Sequence, residues 1–428
     1  MSEKRALRAG LAFLLAVLLC AAANVAAFLI DSDAMRQNAA QGVAMLGEEG
    51  GTPQMVGGFK SAQLDNYTSV LILKTAAYTG EEPLLQKAFG GTRTDLPAQK
   101  EQDAWDAYCT YADGSLSPTG GLTYSRYWHG YTLPLRLLLC VMNTANIQML
   151  LFAIQLALFV LVALLMQQRA LTALLPGMTA AYFIMMPAAL GICLQYAPVS
   201  LLTLTACALL LALDSRIDNA IGMPAFFALI GLFTNYFDLL TFPVASLGFP
   251  LVLLLALRIL GNAPGGRTAT EALLCCAAWG VGFGAMWALK WGINALVFSP
   301  DLLAGVRDQI RLRLSSSSGE ARFSRMDVLR QNLSVVLSKS SYLLVLAAAL
   351  CASLLCGVRR VYRAGFSADV RSLLLLIPAA APLLWTLVMA NHAFDHTYYT
   401  YRNLACAVFA VCALAAYWPR QAVDKIKT

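Results

Sequence analysis

The sequence predicts an all-α membrane protein, with about ten transmembrane helices and two long extracytoplasmic loops. Three observations predict it. Hydrophobic residues make up 59% of the chain and charged residues 13%, against roughly 25% charged in an average soluble domain. The mean hydropathy is +0.63, and the apolar residues fall in runs near the ~20 that a bilayer-crossing helix needs. The basic residues cluster at the ends of alternate runs, as the preference for positive charge on the cytoplasmic side requires. The net charge of +7 is therefore a topology signal and does not indicate nucleic acid.

Residues 1–30 hold the first helix. Its apolar run, 7–30, follows Lys4, Arg5 and Arg8. At about 24 residues it exceeds the roughly 7–15 of a signal-peptide core, so an uncleaved signal anchor is expected. Small residues from Ala21 to Ala27 make a cleaved signal peptide the alternative. Either way the next segment lies outside.

Residues 31–134 form the first outer loop, with twelve acidic and seven basic residues. Gly50-Gly51-Thr52-Pro53, Gly57-Gly58, Gly90-Gly91 and Gly120-Gly121 punctuate it, and short helical patterns run over 69–78 and 84–89. Tyr and Trp are too frequent for disorder, so a small helical cap is expected. Of eleven cysteines, only Cys109 sits well inside a long polar loop, and there is no CxxC. No disulfide framework or zinc spacing follows. The loop closes on Thr123-Tyr124-Ser125-Arg126-Tyr127-Trp128-His129-Gly130-Tyr131. Rings of this kind prefer the membrane–water interface. Arg126, Tyr127 and His129 suit an anionic or sugar-like ligand there; a plain aromatic anchor is the other reading.

In 135–298, after an interfacial helix near 133–143, spanning runs are expected at 145–167, 171–190, 198–213, 221–236, 243–260 and 271–298. The second outer loop, 299–340, has seven basic and four acidic residues. Leu302, Leu303, Val306, Ile310 and Leu314 recur at helical spacing, an amphipathic helix suited to a membrane surface. Ser315–Gly319 breaks it, and a second helical pattern runs over 326–337. The last region, 341–428, holds spans at 341–358, 371–390 and 402–418 and a short tail. With both termini cytoplasmic, the inner loops carry Arg169, Arg216, Arg258, Arg267, Arg359, Arg360, Arg363 and Arg371, and the tail Arg420, Lys425 and Lys427. Losing or gaining one helix would break that pattern.

All three histidines, His129, His392 and His396, fall on the outer side of this scheme. So do three polar-aromatic stretches: 124–131, Thr234-Asn235-Tyr236-Phe237-Asp238, and 391–402 with Tyr399 and Arg402. Ionisable residues at membrane depth mark functional sites, and the asymmetry predicts that the stretches line one outward cavity. His392 and His396 are four apart and would share a helix face, able to hold a metal. No HExxH accompanies them, and two interfacial histidines bonded to neighbours are the preferred reading. A divalent cation stays open. Arg402 could hold a phosphate or snorkel as an anchor. Asp31, Asp33, Asp65 and Asp238 are the candidate general bases, each also suited to a helix cap or a solvated charge.

The layout resembles the GT-C superfamily of membrane glycosyltransferases. Its members have many helices, a large outer loop after the first, an interfacial helix closing that loop, and a later long outer loop. The resemblance is one of architecture and covers most of the chain. It implies transfer of a sugar from a polyprenyl-phosphate donor to a cell-envelope acceptor at the outer face of the cell membrane. The catalytic acid of such enzymes commonly follows helix one, the place of Asp31 and Asp33 here, with Asp65 further along. No paired Asp-Glu or Asp-Asp stands there. Tyr124-Ser125-Arg126-Tyr127-Trp128-His129-Gly130 and Tyr399-Thr400-Tyr401-Arg402 resemble strings in uncharacterised bacterial multi-pass proteins of this kind. On this reading an outer Asp deprotonates the acceptor, ranked Asp31, Asp65, Asp33, Asp238. Arg402, or arginines of 307–325, hold the phosphate, and the bilayer and a lipid-linked sugar are the partners. The rival expectation is a multi-pass transporter or flippase for an envelope lipid or sugar; a non-enzymatic assembly or sensing protein is a third. No clear internal repeat supports the transporter. A cleft closed on the cytoplasmic side favours the enzyme, and a polar path through both faces the transporter.

Overall fold

The computed structural model describes residues 3–95, 120–299, 302–361 and 366–421. Among them, seven helices are long and apolar enough to cross a membrane: Glu3–Ala27, Thr144–Gln168, Ala197–Ala220, Gly265–Val297, Ser340–Arg359, Val370–Val388 and Thr397–Tyr417. Three further apolar helices, Thr172–Ile184, Met223–Phe237 and Val244–Leu260, are shorter. All ten expected runs are thus helical, but seven, not ten, have full spanning length. Local chemistry shortens the others. Met186 leaves the helical region with φ +60 before Pro187. Gly222 opens Met223–Phe237 at φ +92, and Asp238 ends it in an extended conformation. Pro243 precedes Val244–Leu260, where it is tolerated because the first helical turn leaves its amides unpaired.

Helices Glu3–Ala27 and Thr144–Gln168 turn leucines such as Leu7, Leu14, Leu161 and Leu164 outward. An apolar exterior of this extent suits lipid and not water. Inside, Val244–Leu260 and Ala405–Tyr417 are buried along most of their length and anchor the main apolar core. Small residues allow close helix approach. A Cβ on Gly231 would lie 2.1 Å from the Trp279 carbonyl oxygen, and one on Gly282 would lie 2.0 Å from that of Ala228.

One end of the bundle collects the arginines of alternate connections. Arg5 pairs with Asp218 at 2.5 Å, and Arg169 donates to the Leu211 carbonyl at 2.8 Å. Arg258 bridges Glu271 at 2.8 Å and Asp214 at 3.2 Å. Arg371 reaches Asp369 at 2.6 Å and the Ala263 carbonyl at 3.1 Å. Arg5, Arg169, Arg258 and Arg371, all expected on one side from charge, thus meet acidic groups or carbonyls of neighbouring connections at one end. Arg363, Lys425 and Lys427 lie outside the described residues.

The opposite end carries the two caps. Asn66–Ala77, Leu84–Gly90 and Thr132–Leu139 fall where helical patterns were expected. The helix Asp33–Glu49 was not read from the sequence. Arg136, 1% exposed, fastens this cap. Its guanidinium donates to the carbonyls of Ala76 at 2.8 Å, Tyr78 at 3.1 Å and Ile30 at 2.6 Å, satisfying the open carbonyl end of the 66–77 helix. The second cap is Leu302–Leu314, a short 317–318/321–322 hairpin, and Arg325–Leu337. Cys109 and the rest of 96–119 lie outside the described residues.

Candidate functional site

The site begins with the stretch that ends the first loop. Trp128 is 1% exposed; its indole Nε1 donates to the Met286 carbonyl at 2.8 Å, and its own carbonyl accepts from Asn24 Nδ2 at 2.8 Å. Asn294 Nδ2 donates to the Ser125 carbonyl at 2.6 Å, and the Gly130 amide to the Tyr236 carbonyl at 3.0 Å. The helices 3–27, 223–237 and 265–297 therefore all grip the stretch. Gly130 is required by this approach, because a Cβ there would lie 2.4 Å from the Tyr236 ring. Backbone bonds this specific make the stretch a wall of the fold and not a surface anchor.

That wall faces a cavity of about 360 Å³. Tyr124, Tyr127, His129 and Tyr131 line one side, and His392, His396, Tyr398 and Tyr399 another. Leu239, from the turn after the 223–237 helix, joins them, with Asp65, Arg93, Gln195 and Arg313. Two of the three polar-aromatic stretches, 124–131 and 391–402, border this one space, whereas no residue of 234–238 lines it and only Leu239 beyond that stretch does. The space is the size of a small-ligand site.

Asp65 is the carboxylate of this cavity. As N-cap of the 66–77 helix, its Oδ1 accepts from the Thr68 amide at 2.8 Å, and its Oδ2 accepts from the Tyr398 hydroxyl at 3.0 Å. It is 5% exposed. Burial raises its pKa, and the hydrogen bonds from Thr68 and Tyr398 oppose the rise. The result is a fixed carboxylate more basic than one in water.

The histidines are neutral. His129 Nε2 lies 2.9 Å from the Tyr124 carbonyl, which can only accept, so Nε2 carries the proton and Nδ1 accepts from the Tyr131 hydroxyl at 2.8 Å. Burial, with Lys290 and Arg93 nearby, lowers its pKa to about 3. By the same logic His392 Nε2 donates to the Leu240 carbonyl at 2.6 Å, and its Nδ1 accepts from Arg313 at 3.0 Å. Burial and the neighbouring His396 and Arg313 hold His392 well below the usual range. His396 stacks on Tyr399 at 5.1 Å, and burial lowers it to about 4. Both nitrogens of His392 are engaged, so the His392–His396 pair does not present a two-nitrogen metal site. No cluster of three metal-ligating groups occurs among the described residues.

Other sequence candidates fall elsewhere. Asp31 and Asp33 are exposed and both pair with Arg36, so neither lines the cavity. Arg402 is fully buried beneath the site, and its three guanidinium nitrogens donate to the carbonyls of Met185, Tyr398 and Ser61 at 2.9, 2.8 and 2.9 Å. With three of its five N–H donors on backbone carbonyls, fully buried and outside the cavity lining, Arg402 is not placed to meet a phosphate there. Arg126 sits over Tyr124 and lines a neighbouring cavity. Asn235 and Asp238 are buried behind the lining. Arg93, Gln195 and Tyr398 were missed as candidates. Gln195-Tyr196, a polar break between two apolar runs on the outer side, was the available signal.

Asp238 gives a test of this environment. Its Oδ1 accepts from the Thr241 amide and hydroxyl at 2.8 and 2.6 Å, while the buried Oδ2 has no partner among the described residues. Burial raises its pKa from 3.8 to about 7. The folded state then binds the proton more tightly than the unfolded state, so this group costs stability as pH rises from about 4 to 7. Asp238→Asn keeps the acceptor without the charge. Its unfolding midpoint is expected to exceed that of wild type, by a small margin at pH 5 and a larger one at pH 8. Equal midpoints at both pH values would show that Asp238 is not strained by its charge.

No family model matches the chain, and no curated protein and no solved structure is similar to it. The chemistry is therefore argued from the geometry.

Proposed function

We propose that the protein is an extracytoplasmic glycosyltransferase that moves a sugar from a polyprenyl-phosphate donor to a cell-envelope acceptor. One observation carries the reading: the polar cavity shares Ile72 and Tyr131 with a second, apolar cavity of about 360 Å³. This apolar space lies between the 132–139, 144–168 and 197–220 helices, where Leu135, Leu138, Leu151 and Leu201 line it. Two adjoining spaces of opposite polarity suit one amphiphile, with its charged head beside Asp65 and its hydrocarbon among the leucines. Asp65 is the base. It takes the acceptor's hydroxyl proton as the oxygen attacks the anomeric carbon, and the lipid phosphate leaves from the opposite face, inverting the centre. Arg313, oriented by His392, and Arg93 stand where negative charge grows on the leaving phosphate. Below the cavity, Arg402 lies 4.4 Å from the centre of the Tyr196 ring and the main apolar core begins. A cleft closed in this way supports a transferase over a transporter.

The test is transfer by purified protein from a panel of polyprenyl-phosphate sugars. Arg313→Gln is expected to raise the donor KM about ten- to a hundredfold, the loss of one charge-assisted hydrogen bond of ~1.5–3 kcal/mol. An unchanged KM would remove Arg313 from the phosphate site. Turnover of no donor, together with substrate uptake in proteoliposomes, would favour the transporter. In this proposal the arginine-rich end is cytoplasmic and the cavity faces out. In a cysteine-free background, Ser316→Cys should react with an impermeant maleimide on intact cells and Gly265→Cys should not. The opposite pattern would invert the orientation.

A further inference from the structure

A third cavity, of about 240 Å³, adjoins the polar one and shares Tyr124 with it. Trp291 and Asn294, three apart on one face of the 265–297 helix, line it with Arg126 and with Gln309 of the 302–314 helix. Two buried atoms here have no hydrogen-bond partner among the described residues: Asn294 Oδ1, an acceptor, and Trp291 Nε1, a donor. Asn294 is 3% exposed and is held by its Nδ2 bond to the Ser125 carbonyl at 2.6 Å. Leaving such groups unpaired is costly, and both belong to side chains that line this cavity. A ladder of rings joins the two cavities, with centroids of Tyr124–Tyr127 at 5.8 Å, Tyr127–Trp287 at 5.4 Å and Trp287–Trp291 at 5.0 Å.

We infer that this third cavity binds a sugar unit, and that the ring ladder carries a glycan chain from it towards Asp65. The chemistry selects the class. A ligand for these two atoms must both donate, to Asn294 Oδ1, and accept, from Trp291 Nε1. Hydroxyl groups do both, whereas a fully ionised phosphate only accepts. The C–H faces of a sugar ring are flat and apolar enough to lie on indole and phenol rings. That the sugar belongs to the acceptor rests on the transferase reading; that the cavity binds carbohydrate does not.

The experiment is saturation-transfer NMR on the full-length protein in nanodiscs, with maltotriose, mannobiose and N,N′-diacetylchitobiose as probes. At least one is expected to bind wild type, and Trp291→Phe, which keeps an aromatic ring but loses the N–H, should weaken it about tenfold, one neutral hydrogen bond's worth. Gln309→Ala, on the other wall, should also weaken it and guards against misfolding of the first variant. Asp33→Asn, at an exposed carboxylate that lines neither cavity, should bind as wild type. Binding of none of the three probes, or equal binding by wild type and both wall variants, would overturn the inference. Loss of binding in the wall variants of a protein that turns over no lipid-linked donor would keep the carbohydrate site and discard the transferase.

Discussion

Asp65→Asn is expected to lower sugar transfer about 10²–10⁴-fold, the usual contribution of a positioned general base, with the protein folded and donor KM near wild type. The substitution is mild for the fold. Asn is as good an N-cap as Asp, so the bond from the Thr68 amide survives, and the amide nitrogen that replaces the other oxygen can donate to the Tyr398 hydroxyl, which also accepts. What disappears is the ability to take a proton. Asp31→Asn and Asp33→Asn should each retain activity, because those carboxylates stand in solvent on Arg36. Steady-state transfer by the three variants decides it. Full activity in Asp65→Asn would exclude this carboxylate as the base. Loss in Asp31→Asn alone would move the chemistry to the start of the first cap.

Trp128→Ala is expected to be the most destabilising single change at the site, by about 3–5 kcal/mol. The side chain is almost fully buried and packs between Phe89 at 6.1 Å and Tyr236 at 6.0 Å. Lys290, wholly buried, lies 5.6 Å from the ring and donates to the Phe89 carbonyl at 2.5 Å. Removing the indole leaves a cavity beside the buried Lys290 nitrogen and takes a donor from the Met286 carbonyl. Trp128→Phe should cost less, since it restores most of the apolar volume but not the N–H donor. Unfolding midpoints of the detergent-purified variants measure both. Midpoints equal to wild type would make Trp128 a surface anchor after all.

Much of the architecture was legible because it depends on local quantities. Apolar run length located the helices, and the arginines of alternate loops placed their ends correctly relative to one another. The three shortened helices are a miss of degree, since Met186, Gly222 and Asp238 set helix ends that hydropathy alone does not mark. The helix 33–49 was missed because its apolar face is covered by the cap and its pattern is interrupted by Gly42. A Cβ on Gly42 would lie 1.9 Å from Thr144 Oγ1, so close packing, not helix propensity, selected glycine there.

The site divides along the same line. The sequence by itself determined that the polar-aromatic segments 124–131, 234–238 and 391–402 share one side of a helical bundle, because polarity and charge alternate with each crossing. Only the tertiary structure decided which side chains meet. Asp31 and Asp65 are both carboxylates of the 31–134 segment, yet one ends in solvent and the other is buried under Tyr398, 333 residues away. Arg402 looks like a phosphate ligand until the carbonyls of Met185 and Ser61, 217 and 341 residues distant, take its donors. Arg313 gains its place from His392, 79 residues on. Desolvation and hydrogen bonding act over a few ångströms of space, while a sequence orders residues only along the chain. The inventory of chemical groups was therefore readable beforehand, and their roles followed from which distant partner each one met.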